Sequence, residues 1–214
     1  MLKKYFALSL IVLLTFGCRT WGVRGSGDLK TEKRSISDFS ELSISGAFIV
    51  KIQVGGEPKL EITTDDNILP YIITKVKGNT LIIDSRKSLN PKNRVKVTVS
   101  TPYLESVESS GANTIFVRGI DSERFNVDIS GASRLELEGK TNKMTVDLSG
   151  ASSLAAYKLA ADKVIVDLSG ASSAEIYAKE ELNADLSGAS SVEFKGNPRI
   201  RKDISGAASI RSRN

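Results

Sequence analysis

Apolar and polar residues alternate with a period of two through most of this chain. From position 125 the alternation itself recurs every 18–20 residues. Successive units begin Phe125-x-Val127-x-Ile129, Met144-x-Val146-x-Leu148, Val164-x-Val166-x-Leu168, Leu182-x-Ala184-x-Leu186 and Ile200-x-Lys202-x-Ile204. Such a pattern predicts a strand with one buried face in every unit. A second short alternation follows each time, with Leu135, Leu154, Ala174, Val192 and Ile210 in one column and Leu137, Ala156, Ile176 and Phe194 in the next. Between the two runs stands Ser-Gly-Ala, which occurs seven times, beginning at Ser45, Ser110, Ser130, Ser149, Ser169, Ser187 and Ser205. A glycine recurring at the end of every strand marks a sharp bend with positive φ. The alanine after it is small enough for the inside of a tight corner.

Strand, corner, strand and a return loop of a few residues describe a parallel β-helix, in which each unit stacks on its neighbour and like side chains form interior files. The fold expected is all-β: a right-handed parallel β-helix of about eight or nine coils. No stretch from 104 onward keeps the i, i+3, i+4, i+7 spacing of an amphipathic helix. A β-sandwich accounts for short strands but not for columns of constant side-chain type.

Residues 34–103 are less regular and read as coils with longer loops. Phe48, Val50, Ile52 and Val54 alternate; Gly55-Gly56 then turns the chain into a second strand at Leu60 and Ile62. Asp65 to Tyr71 is expected to form one helical turn, with further strands at Leu81–Ile83 and Val95–Val99. The final unit departs from the pattern. It has Lys202 at an inward position and Arg199, Arg201, Arg211 and Arg213 nearby, as a charged device blocking the open end would have.

The start of the chain has a different character. Lys3 and Lys4 precede an apolar run from Tyr5 to Phe16, too short to span a bilayer, which ends at Gly17-Cys18. This reads as a lipoprotein signal peptide over 1–17, with Cys18, the sole cysteine, as the acylated first residue of the mature chain. Thr15 stands where such signals usually have Leu, so an ordinary secretory signal is the competing reading. Residues 18–33, which include Trp21, read as a tether rich in Gly, Ser, Thr and charge. The expected organisation is therefore signal peptide, tether, and a single domain over 34–214, with regular repeats from 104. A membrane is the partner implied by the anchor, and the cell envelope, at the outer membrane, is the expected location.

Chemistry is bounded by what is missing. There is no histidine, which excludes Ser-His-Asp and Cys-His catalysis and histidine zinc sites. Net charge is +5 for the whole chain, and +3 without residues 1–17. No basic stretch is interleaved with aromatics, so nucleic acid is not an expected partner. No phosphate-binding glycine motif is present, and no cofactor is expected. The polar columns are regular. Asp128, Asp147, Asp167, Asp185 and Asp203 recur once per coil, with Glu108 in the matching place and Ser130, Ser149, Ser169, Ser187 and Ser205 two residues on. One reading is a cation ladder with oxygen ligands. The other is that Asp and Ser satisfy backbone groups where the chain bends. Ser133, Ser152, Ser172 and Ser190 are read as turn formers in the same way.

The run Ser45-Gly46-Ala47-Phe48-Ile49-Val50-Lys51-Ile52, then Leu60-Glu61-Ile62, Asp66-Asn67-Ile68-Leu69 and Gly78-Asn79-Thr80-Leu81-Ile82-Ile83, resembles the GIN-type head domain of bacterial auto-transporter adhesins. The Val-Asp-Leu-Ser-Gly-Ala-Ser repeats resemble that family's later coils. The likeness spans Ile36 to Ile210, although the literal Gly-Ile-Asn triple is absent and Gly111-Ala112-Asn113 is the nearest approach. The resemblance implies a β-helical envelope protein and brings no catalytic residues. The first functional expectation is a non-enzymatic, lipid-anchored binding module or adhesin that uses an outer face of the rod, its partner a glycan or an envelope protein. The second is a structural scaffold that forms homo-oligomers through its faces or ends. A polysaccharide-acting enzyme is the third, and is disfavoured because no carboxylate differs from its neighbours, whereas acid–base catalysis needs two with separated pKa values.

Overall fold

The computed structural model describes residues 22–213. The segment expected to be a signal peptide, Cys18 and Trp21 lie outside the described residues. Nine strands form the irregular first half: β1 (Val23–Arg24), β2 (Leu29–Arg34), β3 (Glu41–Gly46), β4 (Ile49–Val54), β5 (Lys59–Asp65), β6 (Ile72–Lys77), β7 (Thr80–Ser85), β8 (Leu89–Asn90) and β9 (Lys96–Thr101). A single 3-10 turn, Leu69–Tyr71, falls where one helical turn is expected. The second half holds β10 (Ser106–Gly111), β11 (Thr114–Ile129), β12 (Arg134–Leu148), β13 (Ser153–Leu168), β14 (Ser173–Leu186), β15 (Ser191–Lys195), β16 (Arg199–Ile204) and β17 (Ser209–Ser212).

From β10 to β17 the chain winds as a parallel β-helix. The first face stacks β10, the C-terminal parts of β11 to β14, and β16. The second face stacks β4, the N-terminal parts of β11 to β14, β15 and β17. The interior files are those read from the sequence. Ile129 pairs with Leu148, Leu148 with Leu168, Leu168 with Leu186, and Leu186 with Ile204. The first four of these five side chains are buried. The return segments are not loops. β11 to β14 run on through them as strand, and Ile120, Leu159, Ala161 and Ala178 point inward there to form a third side. Apolar residues in the returns give this side its own share of the core, which is why pairing persists.

The corners explain the Ser-Gly-Ala repeat. Gly131, Gly150, Gly170, Gly188 and Gly206 all have φ between 70° and 97°, a region in which Cβ is costly. The first four present their carbonyls to the next coil, where the alanine N–H bonds them at 2.7–2.8 Å. The alanine side chains themselves are exposed, not tucked inside the corner as expected. The outward side of the bend leaves them room. The inward position belongs to the serine column: Ser152 and Ser172 are buried and donate to the carbonyls of Ser149 and Ser169 at 2.9 and 2.7 Å. Two coils before Ser152, Asn113 occupies this position and accepts from the Phe48 N–H at 2.9 Å. In the last coil it is Ala208, and Ser190 below is left with a buried hydroxyl that has no partner.

Three further expectations need correction. The first is the coil count: the chain makes about 5 continuous turns, not eight or nine. The N-terminal strands extend the stack out of chain order, because β3 lies between β7 and β10 on the first face while β9 lies next to β4 on the second. The second is the turn at Gly55-Gly56, which does not join paired strands. β9 intervenes, parallel to β4 and antiparallel to β5. The third is the tether. From residue 22 this segment is part of the fold, with β1 parallel to β8 and β2 antiparallel to β5.

Both of these attachments have polar causes. The Asp65 carboxylate is fully buried and accepts from Lys92 N–H (2.7 Å), Asn93 N–H (3.2 Å) and Asn93 Nδ2 (2.6 Å). Burial alone would raise its pKa. These bonds and one from the Gly27 backbone outweigh burial and hold it below the ordinary 3.8. Arg34, at the end of β2, donates to the carbonyls of Ile72 (2.7 Å) and Leu69 (3.0 Å) and to Thr74 Oγ1 (3.0 Å). It thereby ties the second face to β6, which closes the first face antiparallel to β7. The N-terminal end is thus covered by antiparallel strands. The C-terminal end is not. β16 and β17 each pair on one side only, Lys202 and its whole strand are exposed, and Ile200 and Ile204 are 41% and 37% accessible.

Candidate binding faces

On the outer surface of the first face, the carboxylates form one straight file. Glu108, Asp128, Asp147, Asp167, Asp185 and Asp203 are paired in register, one per rung. Parallel pairing sets adjacent members about 4.8 Å apart. Burial pushes the Asp147 carboxyl up, and the charges of Asp167 and Asp128 add to the shift. None of the five aspartates makes a side-chain hydrogen bond or ion pair, so they do not brace the corner as the turn-forming reading supposes. Nor, among the described residues, do any three carboxylates converge closely enough to hold a metal ion. Ser149 and Ser169 face a shallow depression that Asp128, Asp147 and Asp167 also line.

The outer surface of the second face carries a feature with no counterpart in the sequence reading. One outward column runs Lys51, Phe116, Glu136, Ala155, Glu175, Glu193, Arg211 in register. Ala155 is the small member, flanked by two glutamates. Beside it, β13 holds one residue more than β12 between Ala155 and Lys158, a bulge that re-aims Tyr157. The Tyr157 hydroxyl donates to Glu193 Oε2 at 3.2 Å, and Arg213 Nη1 donates to the same oxygen at 2.8 Å. Lys195 Nζ lies 4.5 Å from the centre of the Tyr157 ring. Burial, followed by the hydrogen bond to Glu193 and the charges of Glu193 and Glu175, raises the phenol to about 12.

The outcome is a depression of about 200 Å³ walled by Phe116, Arg118, Glu136, Ala155, Tyr157 and Glu175. On the far side of Phe116 and Arg118 a second depression of about 320 Å³ continues toward Lys51, Gln53 and Thr98. Together they make a shallow groove along the axis of the stack. It offers two partly exposed aromatic rings, carboxylate acceptors and a guanidinium donor. The one sequence-level hint was Phe116, an aromatic in an outward column otherwise polar or small.

The match with a known family follows these features. Residues 38–198 fit the family described as "Putative auto-transporter adhesin, head GIN domain", and the chain belongs to that family. Solved structures share the fold at low identity. A putative adhesin from Bacteroides fragilis has a TM-score of 0.71 at 22% identity, covering 89% of this chain and 100% of its own. One from Parabacteroides merdae scores 0.59 at 19%, covering 90% and 99%. A putative lipid binding protein from Parabacteroides distasonis scores 0.55 at 20%, also covering 90% and 99%. No functionally curated protein matches the chain. Likeness at this level of identity establishes the fold, while function has to come from a site.

Proposed function

We propose that this protein is a lipid-anchored, non-enzymatic adhesin module of the cell envelope that holds a glycan along the groove of its second face. The observation that carries the reading is the gap at Ala155 between Glu136 and Glu175, with Phe116 and Tyr157 as its walls. A sugar ring has an apolar C–H face and a rim of hydroxyls. The rings suit the first; the glutamates and Arg118 suit the second. The groove is open and preformed, as suits a chain of sugars better than an enclosed small molecule. The family's adhesin description supports the class. Membrane attachment through acylated Cys18 rests on the signal-like segment ahead of it.

Glycan arrays probed with the full chain test the reading. Binding should fall at least tenfold in Phe116→Ala and in the pair Glu136→Gln/Glu175→Gln, each with an unchanged melting midpoint. Binding that survives both would remove the groove from consideration. Incorporation of a labelled fatty acid, lost in Cys18→Ser, is the matching test of the anchor.

A further inference from the structure

The first face carries a second charge file. Arg124 pairs in register with Lys143, and Lys143 with Lys163, at the edge of the face opposite the carboxylates, a basic column of three that ends where Lys163 pairs with Glu181. All three side chains are exposed, and none is within ion-pairing reach of a carboxylate among the described residues. Four residues separate this column from Asp128, Asp147 and Asp167, about 13 Å along the strand. Between them runs a nearly neutral column, Asn126, Thr145, Ile165 and Asn183. Over these three rungs the face is therefore a flat strip with one positive margin, one negative margin and an uncharged midline.

We propose that this strip is the contact with a second copy of the same chain, the two rods lying side by side and pointing the same way. The charge pattern selects that arrangement. A two-fold axis along the midline, parallel to the rod, sets the basic margin of each copy against the acidic margin of the other and keeps equal rungs level. A two-fold axis across the rod sets like against like. An isologous contact of the first kind is self-complementary on the three rungs from Arg124 to Lys163. Three rungs at about 4.8 Å and a strip about 17 Å wide give about 250 Å² per copy. Contacts of that size are weak unless the partners are already concentrated. Copies held on one membrane would be. Both second-face grooves remain outward and at the same height, so a dimer would grip a repeating glycan through two sites at once. The dimer does not depend on that ligand, and it stands or falls without it.

Because the axis passes along the midline, Thr145 of one copy faces Thr145 of the other. Thr145→Cys or Asn126→Cys in the full chain should therefore cross-link to a covalent dimer under mild oxidation in the membrane. The unsubstituted chain, with only Cys18, and Ser173→Cys on the second face set the background. Added Lys143→Glu/Lys163→Glu should abolish the dimer. Co-expression of that variant with Asp147→Lys/Asp167→Lys, both carrying the midline cysteine, should restore a mixed dimer. Midline cysteines that cross-link no better than Ser173→Cys would overturn the proposal, as would dimers indifferent to the charge reversals.

Discussion

A methyl group on Gly170 would lie 2.6 Å from the carbonyl oxygen of Gly150, the same oxygen that the Ala171 N–H bonds at 2.8 Å. With φ at +72°, Gly170 is held twice over, by conformation and by its neighbour in the stack. Gly170→Ala should cost about 3 kcal/mol, from left-handed strain plus displacement of a backbone bond. For a domain of this size the melting midpoint should fall by about 6–12 °C. Ala171→Ser, one residue on and exposed, should change it by less than about 2 °C. Thermal denaturation followed by circular dichroism reads both.

Asp65→Ala should detach the first strands from the rest of the stack. It leaves two backbone N–H groups and the Asn93 amide without their charged acceptor, a loss of about 2–4 kcal/mol. Because the folded pKa lies below the ordinary 3.8, the native contribution is complete above that value and fades as pH falls through the depressed one. Acid unfolding of the native chain and the variant should therefore converge at low pH. Hydrogen exchange should show the loss of protection concentrated in Leu29–Arg34.

Asp147→Asn should stabilise. The raised carboxyl means that ionisation is disfavoured in the fold, first by burial and then by the flanking charges of Asp167 and Asp128. Relief of that repulsion is worth less than about 1 kcal/mol in a water-facing file. The gain should be full at neutral pH and shrink as pH drops through the raised value toward 3.8, where the native side chain becomes neutral too. Melting midpoints across a pH series decide it.

Tyr157 should ionise near pH 12, above the ordinary 10.0. Glu193→Gln removes the charged acceptor and should bring the transition down, leaving burial as the main remaining cause. The contribution of the neutral phenol to stability is complete below pH 10 and lost as pH rises through 12. Ultraviolet absorbance of the phenolate, compared with Tyr157→Phe, isolates this residue from the other tyrosines.

The interior files were legible because parallel stacking repeats each side chain on its own kind: Val127 over Val146 over Val166 is visible before any coordinates. The out-of-order rungs were not. Alternation at Val50-Ile52 and Val97-Val99 shows that each is half-buried, but says nothing of which lies beside which. β2, reading Leu-Lys-Thr-Glu-Lys-Arg, has no apolar alternation at all. Its place comes from Asp65 and from the bonds of its own Arg34 to Leu69, Ile72 and Thr74, all far away in the chain. The groove escaped notice for a related reason. Phe116 and Tyr157 stand in different columns, and only the extra residue of the bulge brings the second toward the gap at Ala155.

Every backbone bond between rungs points along the rod. A pull from one end to the other would therefore open the stack like a zipper, one turn at a time, instead of shearing many bonds together. Each turn that lets go frees 18–20 residues, about 65 Å of slack chain. Under tension such a rod would lengthen in steps and keep hold of what it grips, a shock absorber made of the same eighteen-odd residues used over and over.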